Sequence, residues 1–148
     1  MRTYLVLAHK TLLGGPLLEA LRERAARAPS RFHLVVPMEV PSGATWTEGQ
    51  VRRAAEERLA AGLEQLGAAG LEVTGEVGDG RPVDAVQQVL LRGDLSIDEI
   101  IVSTLPPGPS RWLKWDVPHR VATVAAPIPV HHVVGEPARQ RARAGSSS

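Results

Sequence analysis

Short apolar runs alternate along the chain with longer stretches in which apolar residues recur every three or four positions. The runs are too short for helices and are typical of buried strands; they cover residues 4–8, 31–37, 71–77, 97–104 and 128–134. The longer stretches have helical spacing and lie between Gly14 and Pro29, at 48–69, between Asp79 and Gly93, and at 117–125. This alternation predicts a parallel sheet with helices on both faces.

Turn-forming and capping residues set the expected helix ends. Gly70 is suited to ending the second helix, and Asp79 to capping the third, with Pro82 in its first turn. In the same way Asp116 is suited to capping the fourth helix, with Pro118 in the first turn behind it. We therefore expect the fourth helix to begin at about residue 117.

The length of the chain, 148 residues, suits one domain, which we place at residues 1–134. Residues 135–148 (GEPARQRARAGSSS) have no apolar anchors and are predicted to be a disordered polar tail. The sequence contains no cysteine, which excludes disulfides, thiolate metal sites and a cysteine nucleophile. Since no apolar run approaches the ~20 residues that span a bilayer, and the start does not resemble a secretory signal, we expect a cytoplasmic protein without membrane contact.

The charge distribution argues against nucleic acid as a partner. Lys and Arg number 17 and Asp and Glu 16, but Arg139, Arg141 and Arg143 lie in the predicted tail with Glu136. Without the tail, 14 basic and 15 acidic residues remain, so the domain has no basic surface of the kind that binds nucleic acid. Only two of the bases are lysines, Lys10 and Lys114.

The five histidines do not form a recognisable metal or catalytic motif. His131 and His132 are adjacent on a predicted strand, so their side chains should point to opposite faces of the sheet. His33 and His119 have no partner at metal-ligand spacing, and His9 has no nucleophile or orienting carboxylate near it in sequence. We expect no enzyme activity, no metal and no cofactor.

Three passages carry a resemblance to a known family: VGDGRPVDAV at 77–86, DEIIVST at 98–104 and APIPV at 126–130. They resemble the universal stress protein family, and the order of elements extends the similarity over roughly residues 3–134. The resemblance implies a role in stress response and a three-layer α/β/α fold. Its five-stranded parallel sheet would have the order 3-2-1-4-5, as in flavodoxin-like and Rossmann-like folds and the adenine nucleotide alpha hydrolases.

In that strand order the first and fourth strands are neighbours, and a crevice opens at their carboxyl ends. The crevice would be lined by His9, Lys10 and Thr11 after the first strand, and by Ser103 and Thr104 after the fourth. The two lysines of the chain would then form a positive rim that attracts a phosphate or a carboxylate. They could equally be solvated residues of two loops.

The loop after the fourth strand departs from the ATP-binding pattern that the resemblance implies, G-x2-G-x9-G-(S/T). Only Gly108 remains, while Pro106, Pro107 and Pro109 remove backbone N–H donors. Trp115 and Asp116 stand where Gly and Ser or Thr are expected, and a carboxylate capping that helix would oppose a triphosphate. The family's acidic residue at the end of the first strand is also missing. We therefore do not expect ATP binding in the family manner.

A different small anionic or nucleotide-like ligand could still bind the crevice. Besides the residues after the first strand, the groups available to it are Ser103, Thr104, Gly108, Ser110, Arg111 and Lys114. Trp112 and Trp115, three positions apart, are interpreted as packing residues in preference to stacking ones, and Trp46 as a plug in preference to a lid. The alternative function is a ligand-free homodimeric interaction or scaffold module.

The last strand is an edge of the expected sheet, and the resemblance implies dimerisation through it. The dimer edge would be formed by Val130, His131, His132, Val133 and Val134. Pro129 has no backbone donor, so pairing is expected only beyond it.

Overall fold

The computed structural model describes residues 1–8, 15–40, 45–104 and 111–135, without the side chains of residues 111–115. Within these residues five strands alternate with four helices. The strands are β1 (Arg2–Leu7), β2 (Ser30–Pro37), β3 (Glu72–Gly78), β4 (Glu99–Thr104) and β5 (Val130–Val134). The helices are α1 (Gly15–Arg27), α2 (Glu48–Ala68), α3 (Pro82–Arg92) and α4 (Arg111–Ala125).

All strands are parallel, and the sheet has the order β3-β2-β1-β4-β5. This confirms the expected fold class and strand order. The first and fourth strands are neighbours, with Leu7 opposite Val102 as the last pair in their register. Strands β3 and β5 form the two edges.

The sheet separates two apolar cores. On one face, α1 and α2 cover the side chains of Tyr4, Val6, Phe32, Leu34 and Ile101. On the other face, α3 and α4 cover Leu5, Leu7, Val35, Ile100 and Val102. Each central strand thus alternates between the two cores, so its residues are apolar on both sides and read as continuous apolar runs. The arrangement is the expected three-layer α/β/α sandwich.

Helix α2 begins where the sequence predicts, because two reciprocal hydrogen bonds between Thr47 and Gln50 cap its amino end. The Thr47 hydroxyl accepts from the Gln50 backbone N–H at 3.2 Å, and the Gln50 side chain accepts from the Thr47 N–H at 2.9 Å. Helix α3 ends at Gly93, whose φ of 73° is the left-handed conformation typical of a helix C-cap.

The prediction that Asp79 caps α3 is wrong by two residues, since the cap position is occupied by Arg81. The Asp79 carboxylate instead accepts from the Arg81 backbone N–H at 2.8 Å, which closes a turn before the helix. Pro82 lies in the first helical turn, as expected.

The prediction for the start of the fourth helix is also wrong. Helix α4 begins at Arg111, so Asp116 is its sixth residue and not its N-cap, and Pro118 lies inside the helix instead of in the first turn. The Asp116 carboxylate lies 3.8 Å from the Arg120 guanidinium one turn further along. An acidic residue four positions before a basic one stabilises the interior of a helix. The residue types of a helix cap alone do not distinguish such an interior pair from a helix start.

The domain extends one residue beyond the predicted boundary at 134. Gly135 is buried, and its N–H donates to the Thr104 carbonyl at 2.6 Å. The rest of the predicted tail, residues 136–148, lies outside the described residues, so its disorder stays a prediction. No helix within the described ranges has the length and apolar character needed to cross a membrane.

Candidate functional site

The candidate site is the crevice between the carboxyl ends of β1 and β4. These strands pair side by side, yet α1, which follows β1, and α4, which follows β4, pack on opposite faces of the sheet. The chain therefore continues to opposite faces of the sheet after two neighbouring strands, which is the topological switch point at which ligands bind in open α/β sheets. The strand order and helix placement on which the expected crevice depends are thus present, while the crevice itself stays a prediction.

Two hydroxyl residues lie at the carboxyl end of β4. The β1–β4 ladder ends at Leu7 and Val102, so Ser103 and Thr104 extend beyond it, with their side chains on opposite faces of the sheet. Both residues are buried, at 7% and 8% exposure. Buried hydroxyls on rigid strands are suited to orienting a ligand, because their positions are fixed before binding.

Thr104 is held in place from β5 by two contacts. Its Oγ1 lies 2.5 Å from Nε2 of His132, and its carbonyl accepts from the Gly135 N–H. Burial lowers the pKa of the His132 imidazole, which favours the neutral ring. These two contacts therefore fix the position of Thr104. The group beside its hydroxyl is a neutral imidazole, whose nitrogen donates or accepts the hydrogen bond according to the tautomer.

Only part of the predicted ligand-binding set can be placed. Five residues of the set lie outside the described residues: His9, Lys10, Thr11, Gly108 and Ser110. The three prolines of the loop after β4, Pro106, Pro107 and Pro109, lie outside them as well. Arg111, Lys114 and Trp115 are placed only by their backbone, in the first two turns of α4. Ser103 and Thr104 are placed at the carboxyl end of β4, while their role in ligand binding and the positive rim stay predictions.

The position of Asp116 removes one argument against an anionic ligand. It lies five residues beyond the start of α4, or ~7.5 Å along the axis at the usual rise per residue. Its charge is partly balanced by Arg120. Since helix-dipole effects are confined to the first turn, Asp116 does not occupy the end of the helix at which a phosphate would dock. Its predicted role in opposing a phosphate at the helix cap is therefore wrong.

The loop after β2 also borders the carboxyl edge of the sheet. The Met38 N–H donates to the Gly78 carbonyl at 3.0 Å, which ties the ends of β2 and β3 together. Trp46, just before α2, keeps 38% of its surface exposed. The interpretation of Trp46 as a plug is therefore wrong, because a plug would be buried.

A polar network that the sequence analysis missed joins β2, β3 and α3. His33 places Nδ1 2.8 Å from the Thr74 hydroxyl and Nε2 2.7 Å from the Glu76 carboxylate. Both oxygens of Glu76 also accept from Arg92, at 2.7 and 2.6 Å. The Arg92 hydrogen bonds, followed by those of His33, lower the pKa of Glu76 to about 2. His33 is a satisfied structural histidine, as expected, and the alternation of Glu72, Thr74 and Glu76 along β3 was the signal for a polar face.

The two histidines of β5 bond to opposite faces, as their adjacency predicts. His131 lies 3.0 Å from the Glu99 carboxylate, which also binds Arg2 at 2.5 Å. His132 faces Thr104 on the side covered by α4. Across the described ranges, no three His, Asp or Glu side chains cluster closely enough to hold a metal ion.

Comparison with known proteins supports the fold. No protein-family model and no curated protein matches the chain. Among solved structures, a universal stress protein from Archaeoglobus fulgidus has a TM-score of 0.60 at 17% identity, covering 90% of this chain and 93% of its own. The Archaeoglobus fulgidus protein in complex with dAMP has a TM-score of 0.58 at 17% identity, covering 90% and 97%. A universal stress protein in complex with cAMP has a TM-score of 0.57 at 15% identity, covering 90% and 95%.

At these identities the comparison concerns the fold alone. The chain has the fold of the universal stress proteins, over nearly the whole of both chains. The resemblance seen in the sequence is thus confirmed for the fold.

Proposed function

We propose that this universal stress protein-like domain binds a small anionic, nucleotide-like ligand in the crevice between β1 and β4. The observation that carries the proposal is the pair of buried hydroxyls, Ser103 and Thr104, at the point where the two following helices diverge. A site of this kind needs a few fixed polar groups on a rigid scaffold. Both hydroxyls lie on a strand that is paired on either side.

The solved structures with this fold support an adenine mononucleotide as the first ligand to test. One of them is a complex with dAMP and another a complex with cAMP. Each of these ligands carries a single phosphate group. The position of Asp116 inside α4 also supports an anionic ligand, because its carboxylate does not compete with the ligand for the start of the helix.

The sequence argues against ATP binding in the family manner. Pro106, Pro107 and Pro109 lack the N–H groups with which a glycine-rich loop surrounds a triphosphate. A monophosphate needs fewer such donors than a triphosphate. We therefore expect selectivity for AMP-sized ligands over Mg-ATP.

A thermal-shift panel tests this function. The ligands are AMP, cAMP, adenosine and ATP with and without magnesium, and a ligand at 100 times its Kd should stabilise the protein by about 2.7 kcal/mol. Ser103→Ala should abolish the shift by AMP, because it removes the buried hydroxyl without adding bulk. Ser96→Ala is the matched control, since Ser96 is exposed in the loop that precedes β4 at the opposite end of the strand.

The alternative function is a ligand-free interaction or scaffold module. Absence of a shift with every nucleotide would contradict the proposal and favour this alternative. A shift with Mg-ATP that exceeds the shift with AMP would contradict the proposed selectivity. Since the sequence has no catalytic motif, we also propose a binding role without turnover, which incubation with the bound nucleotide and analysis of the products would test.

We further propose that the domain forms a homodimer through β5. This strand is at an edge of the sheet, and its Val134 is 38% exposed. An edge strand with an apolar, exposed residue is suited to pairing with a second copy. A two-fold axis would pair each copy's β5 with the other's.

A further inference from the structure

A hydroxyl, an imidazole and a carboxylate form a connected series on β2 and β3, on the sheet face covered by α3. Thr74 of β3 is the register partner of His33 of β2. The Thr74 Oγ1 lies 2.8 Å from Nδ1 of His33, and Nε2 of the same ring lies 2.7 Å from a Glu76 carboxylate oxygen. Both separations are hydrogen-bond distances, so the ring of His33 connects the hydroxyl to the carboxylate.

The Glu76 carboxylate determines which nitrogen of His33 carries a proton. Both of its oxygens accept from Arg92, at 2.7 and 2.6 Å, and these bonds, with those of His33, lower the pKa of Glu76 to about 2. The carboxylate is therefore ionised near neutral pH and can only accept hydrogen bonds. Its bond with His33 must then be donated by the Nε2–H, which in the neutral ring leaves the lone pair on Nδ1. Nδ1 is thus the acceptor of the Thr74 hydroxyl proton.

This arrangement is the environment in which proteins activate a hydroxyl as a nucleophile. One ring nitrogen takes the hydroxyl proton, while a carboxylate at the other nitrogen orients the ring and stabilises the imidazolium that forms. In His33 the hydroxyl is at Nδ1 and the carboxylate at Nε2. Either nitrogen of an imidazole can act as the base, so the exchange of the two positions preserves both roles.

The hydroxyl is accessible, whereas the base behind it is buried. Thr74 is exposed on β3, an edge strand whose outer side no strand of the described residues covers. His33 is only 8% exposed, and its two hydrogen bonds hold the ring in place. A reagent can therefore reach Thr74 from solvent and meet a nucleophile and a base that are already positioned.

The charges around Thr74 favour a neutral reacting group. The charged side chains of this surface are three carboxylates and two guanidiniums, those of Glu72, Glu76, Asp94, Arg31 and Arg92. Each guanidinium is already bound to a carboxylate, and one negative charge remains in excess. This excess disfavours a phosphoryl donor, whereas the carbonyl of an ester or thioester carries no charge to be repelled.

We propose that Thr74 is a site of covalent acylation, at which His33 acts as the general base toward a thioester or another activated ester. The Thr74 oxygen forms a bond to the acyl carbon while Nδ1 of His33 takes the hydroxyl proton. The bond from the acyl carbon to the leaving thiolate or phenolate breaks, and the leaving group keeps the electron pair. The proton then passes from Nδ1 to the leaving group or to solvent. The product is one O-acyl threonine per chain, and its formation goes beyond the proposed nucleotide binding and does not depend on it.

The first test treats the full chain with p-nitrophenyl acetate at pH 8 and locates the acetyl groups by peptide mass mapping. Thr123 is the internal control, because it is also exposed but donates its hydroxyl proton to the His119 backbone carbonyl instead of to an imidazole. Acetyl should appear on Thr74 about a hundredfold faster than on Thr123, the lower end of what a positioned general base contributes. Hydroxylamine should remove it, as it removes an ester and not an amide on a lysine.

Variants separate the base from the hydroxyl. His33→Gln should reduce the acetylation rate of Thr74 to that of Thr123, and His119→Gln, at an exposed position of α4, should leave the Thr74 rate unchanged. Thr74→Ser keeps the hydroxyl and should stay reactive. An unchanged Thr74 rate in folded His33→Gln would overturn the proposal, and so would equal rates at Thr74 and Thr123 in wild type. If circular dichroism shows that His33→Gln does not fold, the wild-type comparison of the two threonines decides.

The proton assignment is tested by nitrogen-15 NMR of the histidines in the unmodified protein at pH 8. Nε2 of His33 should carry a proton and Nδ1 should not. A proton on Nδ1 at this pH would overturn the role of His33 as the base, whatever the result of nucleotide titration at the end of β4.

Discussion

At the residue scale, Glu76 links three elements through one carboxylate. It accepts from His33 of β2 and, through both oxygens, from Arg92 of α3. Its side chain is 27% exposed, so the bonds are only partly screened by water. By contrast, Glu72, four residues earlier on the same face, pairs with Arg31 with half of its side chain exposed.

We expect Glu76→Gln to destabilise the domain by about 1–2 kcal/mol at pH 7, because it weakens the charge-assisted bonds and leaves Arg92 without its main partner. Glu72→Gln is the matched control and should cost less than about 0.5 kcal/mol, as exposed pairs usually do. Urea unfolding of the two variants measures the difference. Equal losses would show that the Glu76 network contributes no more than a surface pair.

The same carboxylate should make the protein sensitive to acid. The pKa of Glu76 is about 2 in the folded chain against 4.5 for the ordinary side chain. Its contribution to stability is therefore fully present above pH 4.5 and is lost as the pH falls toward 2. Unfolding free energies of wild type and Glu76→Gln should converge over this range. Parallel curves between pH 5 and pH 2 would contradict the assignment.

Protonation of His132 should also lower the stability of the domain as the pH falls, at a higher pH than protonation of Glu76. Its folded pKa lies below the ordinary value of 6.5, so the unfolded chain binds a proton first as the pH falls. The stability that the neutral ring contributes is complete above pH 6.5 and declines below it. The loss of stability measured by urea unfolding between pH 7 and pH 5 should be smaller in His132→Gln than in wild type. An equal loss in both proteins would show that His132 is not held neutral by burial.

At the scale of elements, the packing of α2 against the sheet depends on a glycine in β3. A Cβ on Gly75 would lie 2.6 Å from Cδ1 of Leu59 in α2 and 3.1 Å from the Leu34 carbonyl in β2. The helix can therefore approach the sheet closely only because this position has no side chain. Gly67, inside α2, has open space around the same position.

Gly75→Ala should destabilise the domain by about 1–3 kcal/mol, since Leu59 must move and the Leu34 backbone cannot move freely. Gly67→Ala should instead stabilise it by about 0.5 kcal/mol, because alanine is the better helix former. Thermal unfolding of both variants checks the pair. Changes in stability of the same sign in the two variants would contradict this explanation of how α2 packs on the sheet.

Most elements could be predicted from the sequence because apolar periodicity and burial have the same origin. The strands β1, β2 and β4 are apolar on both faces, and their central residues lie in the two cores. The error at α4 has a different cause. Asp116 and Pro118 have the residue types of a helix start, but their effect depends on whether the preceding residues are already helical. Sequence-local signals do not carry that information.

At the scale of the whole molecule, the sheet has two edges of different character. β3 carries charged residues, Glu72 and Glu76, that bind Arg31 and Arg92 and discourage pairing with another chain. β5 carries valines and two histidines. The Ile100 N–H donates to Pro129, and the Gly135 N–H donates to Thr104, so the backbone of every second residue in β5 faces β4. The backbone of Val134 consequently faces outward.

Val134→Pro should therefore convert a dimer of about 32 kDa, twice the 15.9 kDa chain, into a monomer without loss of fold. Proline removes an outward N–H and leaves the β4 ladder intact. Val134→Thr keeps the N–H and should stay dimeric. Light scattering at micromolar concentration and circular dichroism measure mass and fold; a monomeric wild type, or a dimeric Val134→Pro, would contradict pairing through β5.

The strand order could be predicted from the sequence, but the contacts at the carboxyl edge of the sheet could not. Strand order follows from element order and the resemblance, and it places Ser103 and Thr104 next to the end of β1. The contact of Thr104 with His132 joins residues 28 positions apart on adjacent strands, and it depends on the β4–β5 register. The sequence analysis missed the network of His33, Glu76 and Arg92 for the same reason. These contacts depend on the register of β2 with β3 and on the position of α3 against the sheet.

The central claim, that a nucleotide-like ligand binds between β1 and β4, is tested most directly by NMR titration of the amide resonances with AMP. If the ligand binds there, AMP should cause saturable shifts concentrated at Ala8, Ser103, Thr104 and Gly135, and these shifts should be reduced in Ser103→Ala. The claim is contradicted if the titration leaves these amides unchanged, or if the saturable shifts cluster at another surface, such as the outer edge of β3.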